Sequence, residues 1–303
     1  MIPDFPEFRA VDVDVRAAVE AHTARFPPSS DFNFTSLWTW DTTSRRMLSA
    51  LNGNLVVLFT DYSSDAPFLS FLGVERPDHT ALTLLRYARE AGIEPVLRLV
   101  PETSATGLMQ SPFMVVTEDR DNFDYVYALS DLVTFPGPAF VQRRYKAGRF
   151  RREHPTAHVT LLDLHQPEVQ GQVLDVVRTW ESNKIEDGKT YDLCHEEQAI
   201  RRLLATVTHH PVVLTGVVLD SELIGFSIDE VLPSDYAITH FWKADARFNG
   251  VFDFLKQEKS RHLQTLGASH LNFEQDLGVE SMRRSKTSFR PTGFLKKYSV
   301  RLA

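Results

Sequence analysis

Apolar positions along this chain of 303 residues change their period several times, and each change marks an element. A helical repeat over residues 11–22 stops at Phe26-Pro27-Pro28-Ser29-Ser30, since proline removes a backbone donor and blocks the next turn. The aromatic stretch that follows, with Phe32, Phe34, Trp38 and Trp40, reads first as core; an acceptor pocket or a platform for a stacked base is the alternative. Alternation predicts strands at 54–61 and 67–73, a helix over 78–91 bounded by Pro77 and Gly92, and further strands at 94–100, 113–117 and 124–129.

The second half predicts a strand at 158–164, helices at 168–184 and 196–209, and strands at 211–219, 222–230 and 236–243. Asp220-Ser221 is short enough to close a hairpin between the first two of that set. A helix over 251–266 leads through Gly267 to a strand at 269–274, a short helix and a last strand near 294–302. This order is that of a GNAT-type acyltransferase fold. The first half reads the same way, less sharply, so the expected architecture is α+β: tandem GNAT-like domains at 1–139 and 156–303, joined by a basic helix over 140–155.

Composition narrows the classes. Two domains are the prior for this length, and 43% hydrophobic residues suffice for two cores. No run of apolar residues is long enough to span a bilayer and the N-terminus lacks a signal-peptide pattern, so a cytoplasmic location is expected. One cysteine, Cys194, permits no internal disulfide and no thiolate zinc site, and the histidines lack metal-ligand spacing, so no metal is expected.

The net charge of −7 excludes a generally basic, nucleic-acid-coating protein, yet residues 142–154 read QRRYKAGRFRREH. Arg143, Arg144, Lys146, Arg149, Arg151 and Arg152 spread round a helix, which is either a solvated surface or a contact for a polyanion such as RNA or phospholipid.

The tail carries the densest chemistry. If the strand runs through Leu271-Asn272-Phe273-Glu274-Gln275-Asp276, then Asn272, Glu274 and Asp276 share a face, and burying them requires partners such as Arg283, Lys286 and Arg290. The segment reads equally as a salt-bridge network and as a site.

Three segments, NFTSLWTWD near residue 33, DYVYALSDLVTFPGPAFVQRRYKAGRFRREHP and NFEQDLGVESMRRSKTSFRPTGFLKKYSV, resemble in order the C-terminal domain of phosphatidylglycerol lysyltransferase (lysylphosphatidylglycerol synthase) and its soluble relatives. The resemblance implies chemistry in the C-terminal half, with an aminoacyl group moved from aminoacyl-tRNA to a lipid hydroxyl or a small-molecule acceptor. The basic stretch coincides with that family's linking helix. Asn272, Glu274, Asp276, Gly278, Arg283, Lys286, Pro291, Lys297 and Tyr298 match its strand-helix-strand motif. The chain lacks the family's membrane-spanning half, so a soluble enzyme with a small acceptor fits better than one acting on bilayer lipid.

Aminoacyl transfer needs a base for the acceptor and a cation for the oxyanion. The catalytic candidates are therefore Glu274 or Asp276 as carboxylate and Arg283 or Lys286 as electrostatic partner. His240 is a second base candidate, with a sheet histidine as the plainer reading. Glu230, at the end of the preceding strand, is a candidate to bind a substrate amino group, with a surface carboxylate as the equal alternative, and Lys243, Asn272, Arg290 and Lys297 complete the substrate-binding set. No cofactor beyond the donor, aminoacyl-tRNA, is implied. The rival donor is acetyl-CoA, whose glycine-rich turn survives only as Arg247 and Gly250 of Ala246-Arg247-Phe248-Asn249-Gly250-Val251-Phe252. A non-catalytic GNAT-like binding protein is the third class.

Overall fold

The computed structural model describes residues 1–61, 64–183 and 195–303 in full, and the backbone of 184–186 and 194. In chain order the elements are β1 (Arg9–Ala10), α1 (Arg16–Thr23), α2 (Phe34–Thr39), β2 (Met47–Leu51), β3 (Asn54–Thr60), β4 (Pro67–Leu72), α3 (Pro77–Glu90), β5 (Leu97–Pro101), α4 (Glu102–Ala105) and β6 (Met114–Glu118). There follow β7 (Asp124–Ala128), α5 (Leu129–Thr134), α6 (Val141–Glu153), β8 (His158–Leu162), α7 (Pro167–Glu186), α8 (Cys194–Ala205), β9 (Val212–Leu219), β10 (Glu222–Val231) and β11 (Tyr236–Ala244). The last are α9 (Val251–Thr265), β12 (His270–Asn272), α10 (Glu280–Thr287), β13 (Gly293–Leu295) and β14 (Lys297–Leu302).

Two compact units result, and their boundaries differ from 1–139 and 156–303. One holds Met1–Asp124, Gln275–Glu280 and Phe294–Ala303; the other holds Tyr125–Glu274 and Ser281–Gly293. The chain returns to the first unit twice.

The first unit is built on a seven-stranded sheet in the order β1-β2-β3-β4-β5-β14-β6. The final strand therefore joins this sheet, between β5 and β6 and antiparallel to both, instead of ending the second half. The aromatic stretch forms the helix α2, and Phe32, Phe34 and Leu37 are buried in a core with Val57, Phe59 and Leu72. Asn33 starts that helix by accepting the Ser36 N–H at 3.1 Å, a side-chain cap that overrides the strand-like composition.

The second sheet has the order β13-β7-β12-β11-β10-β9-β8. The β9–β10 hairpin closes on Asp220 and Ser221, both with left-handed φ (49° and 73°), as a two-residue loop between twisted strands requires. β11 and β12 run parallel, but only from Tyr236↔His270 to Ile238↔Asn272. β11 continues to Ala244, whereas β12 ends at Asn272. The core of this unit gathers Tyr125, Tyr127, Phe150, Phe254, Leu255, Leu271, Phe273 and Phe289.

The basic helix α6 belongs to the second unit. Ala147 and Phe150 are buried, and Phe150 packs its ring 4.9 Å from that of Phe254 on α9. Gly250 starts α9 with φ +90°, and a Cβ there would collide with the Lys146 carbonyl, so close helix contact explains this glycine.

Candidate active site in the second unit

β11 carries a bulge at the point where its pairing with β12 ends. Asp229 pairs with Thr239 and Ile228 with Phe241, so His240 is the extra residue on the β11 side. A bulge re-aims the side chain it carries. Here it lays the His240 ring between two carboxylates, with Nε2 at 3.0 Å from Glu230 Oε2 and Nδ1 at 3.6 Å from Glu274 Oε1.

Burial alone would lower the His240 pKa, but contact with Glu230 and Glu274 outweighs it and raises the ring to about 9. At neutral pH His240 is therefore an imidazolium, hydrogen-bonded through Nε2 to Glu230 and ion-paired through Nδ1 with Glu274. This changes the role expected of it: a charged ring cannot accept a proton, so His240 is no base. Its side chain has no exposed surface and that of Glu230 only 4%, whereas Glu274 keeps 16%. Within this group Glu274 is the member that meets solvent.

The backbone at Glu274 explains why. The strand stops at Asn272, and Glu274 takes a left-handed φ of 53°, so the alternation that would place Asn272, Glu274 and Asp276 on one face does not occur. Asn272, fully buried, makes the turn by accepting the Glu274 N–H through Oδ1 at 2.8 Å. The Glu274 carbonyl accepts from Tyr125 N–H at 3.2 Å. Lys286, on α10, donates its Nζ to the Phe273 carbonyl, and Tyr127 Oη donates to the Lys286 carbonyl at 2.8 Å. Asn272 and Lys286 thus position the Glu274 backbone.

The other predicted residues are distributed as follows. Arg283 is half-buried on α10, and Arg290 is exposed with φ 56° just beyond it. Lys243 is buried, 2.6 Å from Glu196 and with its ammonium 4.1 Å from the Trp180 ring centroid. Asp276 and Lys297 belong to the first unit. Asp276 is sealed; it accepts the Gly278 N–H at 2.9 Å and pairs with Arg120 at 3.3 Å, closing a turn. Lys297 is sealed beside Asp124 at 2.7 Å and beside Asp31, and Ser30 Oγ donates to Asp124 at 2.7 Å. The side chain of Cys194 lies outside the described residues.

Most of the basic helix is committed inside its own unit. Arg143 binds Asp253 at 2.9 Å, Arg144 donates to the Phe135 and Gly137 carbonyls, Arg149 pairs with Glu153 at 2.7 Å and Arg151 with Glu258 at 2.8 Å. Arg152 is exposed and Lys146 half-buried.

Three residues beneath the bulge, Asp229, Lys256 and Lys259, escape the sequence pattern. Lys259 of α9 is sealed and donates to Asp229 Oδ1 (2.7 Å), Thr239 Oγ1 (2.6 Å) and Ser227 Oγ (2.9 Å), tying helix to sheet next to His240. One turn earlier, Lys256 is equally sealed, yet its ammonium has no hydrogen-bond partner among the described residues. It lies 3.0 Å from the Phe273 ring centroid and 4.4 Å from that of Trp242. Burial, aided by Lys259, holds the Lys256 pKa well below the ordinary lysine value. The available signal was a pair of lysines at i and i+3 on a helix otherwise turned to the core, with an aspartate inside the apolar strand β10.

The turn before α9 is built round Asp245. Asp245, buried in it, accepts the Arg247 N–H at 3.0 Å and holds the Arg247 guanidinium at 2.6 Å; the Phe248 N–H goes to the Asp245 carbonyl and the Val251 N–H to the Phe248 carbonyl. The Arg247, Phe248 and Val251 amides are thus bonded within the turn, around a carboxylate.

Mixed sheets of this order, with the parallel pair β11/β12 parting beside His240, form a GNAT-like fold. The family profile of phosphatidylglycerol lysyltransferase, C-terminal, matches residues 23–301, and the chain belongs to that family of transferases. Among solved structures, a conserved protein of unknown function from Bacteroides thetaiotaomicron is 22% identical with TM-score 0.86, covering 100% of both chains. L-PGS from Bacillus licheniformis is 14% identical with TM-score 0.62, over 99% of this chain and 93% of its own. A tandem GNAT protein from the clavulanic acid biosynthesis pathway is 13% identical with TM-score 0.50, over 98% of each chain. Among curated proteins, none matches the sequence.

Proposed function

We propose that this protein transfers an aminoacyl group from aminoacyl-tRNA to a small-molecule acceptor, with Glu274 as the general base. The observation that carries the reading is the carboxylate of Glu274, open to solvent on one side and backed on the other by an imidazolium that Glu230 holds in place. Two carboxylates and one imidazolium leave the cluster with a net charge of about −1, which suits the ammonium group of an aminoacyl ester.

In this mechanism the acceptor hydroxyl or amine attacks the ester carbonyl as Glu274 Oε takes its proton. The carbonyl oxygen becomes an oxyanion, for which Arg283, half-buried on α10, is the cation assigned. Collapse breaks the ester C–O bond, and the proton on Glu274 passes to the departing ribose oxygen of the tRNA. His240 stays charged throughout and keeps the base oriented. Arg152 and Lys146 of α6 are the cations assigned to the tRNA backbone.

Acetyl-CoA is the less favoured donor because Asp245 and the internally bonded turn oppose a diphosphate. The deciding experiment presents the pure protein with radiolabelled aminoacyl-tRNAs and, separately, with acetyl-CoA. Binding or deacylation of one aminoacyl-tRNA, weakened by salt as phosphate contacts require, is the expected result. Saturable acetyl-CoA turnover without tRNA binding would overturn it.

A further inference from the structure

Away from Glu274, two polar atoms in the second unit are buried and unpartnered in one place. Thr215, at the centre of β9, has no exposed surface, and among the described residues its Oγ1 meets no hydrogen-bond partner; neither does Nε2 of His262 on α9. Both line a cleft of about 280 Å³ between α9 and the strands β8 and β9. Buried hydroxyl and imidazole groups are seldom left unpaired, because each forfeits its bonds to water and gains nothing in return.

The rest of the cleft describes what would satisfy them. Val159 and Leu161 of β8 form an apolar wall, and Leu161 is 53% exposed. Opposite them α9 presents Glu258 and Arg261 side by side as an ion pair, with Arg151 also 2.8 Å from Glu258. A carboxylate and a guanidinium in adjacent positions match a ligand bearing both an ammonium and a carboxylate. A ligand with a single charge would meet one of them and be repelled by the other. The hydroxyl and imidazole call for a tail that both donates and accepts.

We propose that this cleft binds a free α-amino acid with a polar side chain. Its carboxylate sits on Arg261 and its ammonium on Glu258, and its side chain reaches Thr215 Oγ1 and His262 Nε2 along the apolar wall. The assignment uses no part of the Glu274 site and stands or falls separately from the transferase reading.

Calorimetric titration of the full chain with L-serine, L-threonine, L-asparagine and L-glutamine tests it, with L-alanine, acetate and ethylamine as comparators. Saturable binding of at least one polar amino acid is expected, with L-alanine weaker and neither singly charged comparator binding. Thr215→Val preserves shape and removes a hydroxyl that has no hydrogen-bond partner among the described residues, so the fold is kept while affinity falls about fivefold to tenfold. Arg261→Gln, on the exposed side of α9, lowers affinity by about tenfold or more. The proposal is overturned if none of the four binds below about 10 mM, if acetate binds as well as they do, or if both variants bind like the parent.

Discussion

In the first unit, Lys297 is sealed between Asp124 and Asp31, and Ser30 completes the bonding of Asp124. In the second, Lys256 is sealed among aromatic rings with no hydrogen-bond partner among the described residues, while Glu274 keeps part of its surface in water. Burial lowers a lysine pKa in both places. Asp124 and Asp31 reverse the effect for Lys297, which ends above its ordinary value, whereas Lys256 ends well below. A charge cluster that closes on itself fixes structure. One that leaves a cation uncompensated and a carboxylate accessible gives up stability, which natural proteins tolerate mainly where the groups do something.

The strongest way to break this contrast is to remove the accessible carboxylate. Glu274→Gln keeps the turn, since the Asn272 and Tyr125 contacts are to its backbone. Transfer from the identified donor should fall by about 10²–10⁴-fold with little change in melting temperature. Activity within a few-fold of the parent would make the second cluster as structural as the first.

The mirror experiment is Asp124→Asn in the first unit. It leaves Lys297 with one carboxylate in a sealed site, and the cost should be about 3–5 kcal/mol of unfolding free energy in denaturant titration. A loss under about 1 kcal/mol would show that Asp31 suffices and that the cluster is less closed than its geometry implies.

His240 gives the comparison a pH axis. Its folded pKa, about 9, lies above the value of an unfolded histidine. The native state therefore binds the extra proton, and the contribution is fully present below about pH 6.5 and lost as pH rises through about 9. The loss is on the order of 3 kcal/mol, read as the difference between parent and His240→Gln in urea unfolding at the two ends of that window. A parallel pH dependence of the two proteins would mean that the ring is neutral in the fold.

How much of this was legible in the sequence differs between the units. The β9–β10 hairpin could be read because Asp220 and Ser221 tolerate the left-handed conformations its two-residue loop needs. The core-facing aromatics and the helices over 78–91 and 251–266 followed from period. Glu230, His240 and Glu274 were all singled out, since polar side chains on apolar strands stand out. Their grouping was not legible: it depends on a bulge at His240 and a left-handed Glu274, neither of which alternation encodes. Asp276 shares a face with Glu274 only if alternation continues past Asn272, which instead ends the strand by accepting the Glu274 N–H. Lys297 looked like a site residue because its partners, Asp124 and Asp31, are remote in sequence. The interleaving of the units has the same cause, since only the pairing of β14 with β5 and β6 reveals where the chain's end belongs.

The smallest expected effect bears on Lys256, where the two units differ most. An unfolded lysine is protonated up to about pH 10.4. The native site resists that proton, so the parent gains stability as pH rises toward that value. Lys256→Met fills nearly the same volume with an apolar, flexible chain against Phe273 and Trp242. It should raise the unfolding free energy at neutral pH by about 1–2 kcal/mol and remove that alkaline gain. If this more stable variant transfers more slowly, the buried cation is kept for the reaction, by holding Phe273, and with it Glu274, in place. If it is destabilised, the ammonium is compensated inside the aromatic box, and the second unit closes its charges as completely as the first.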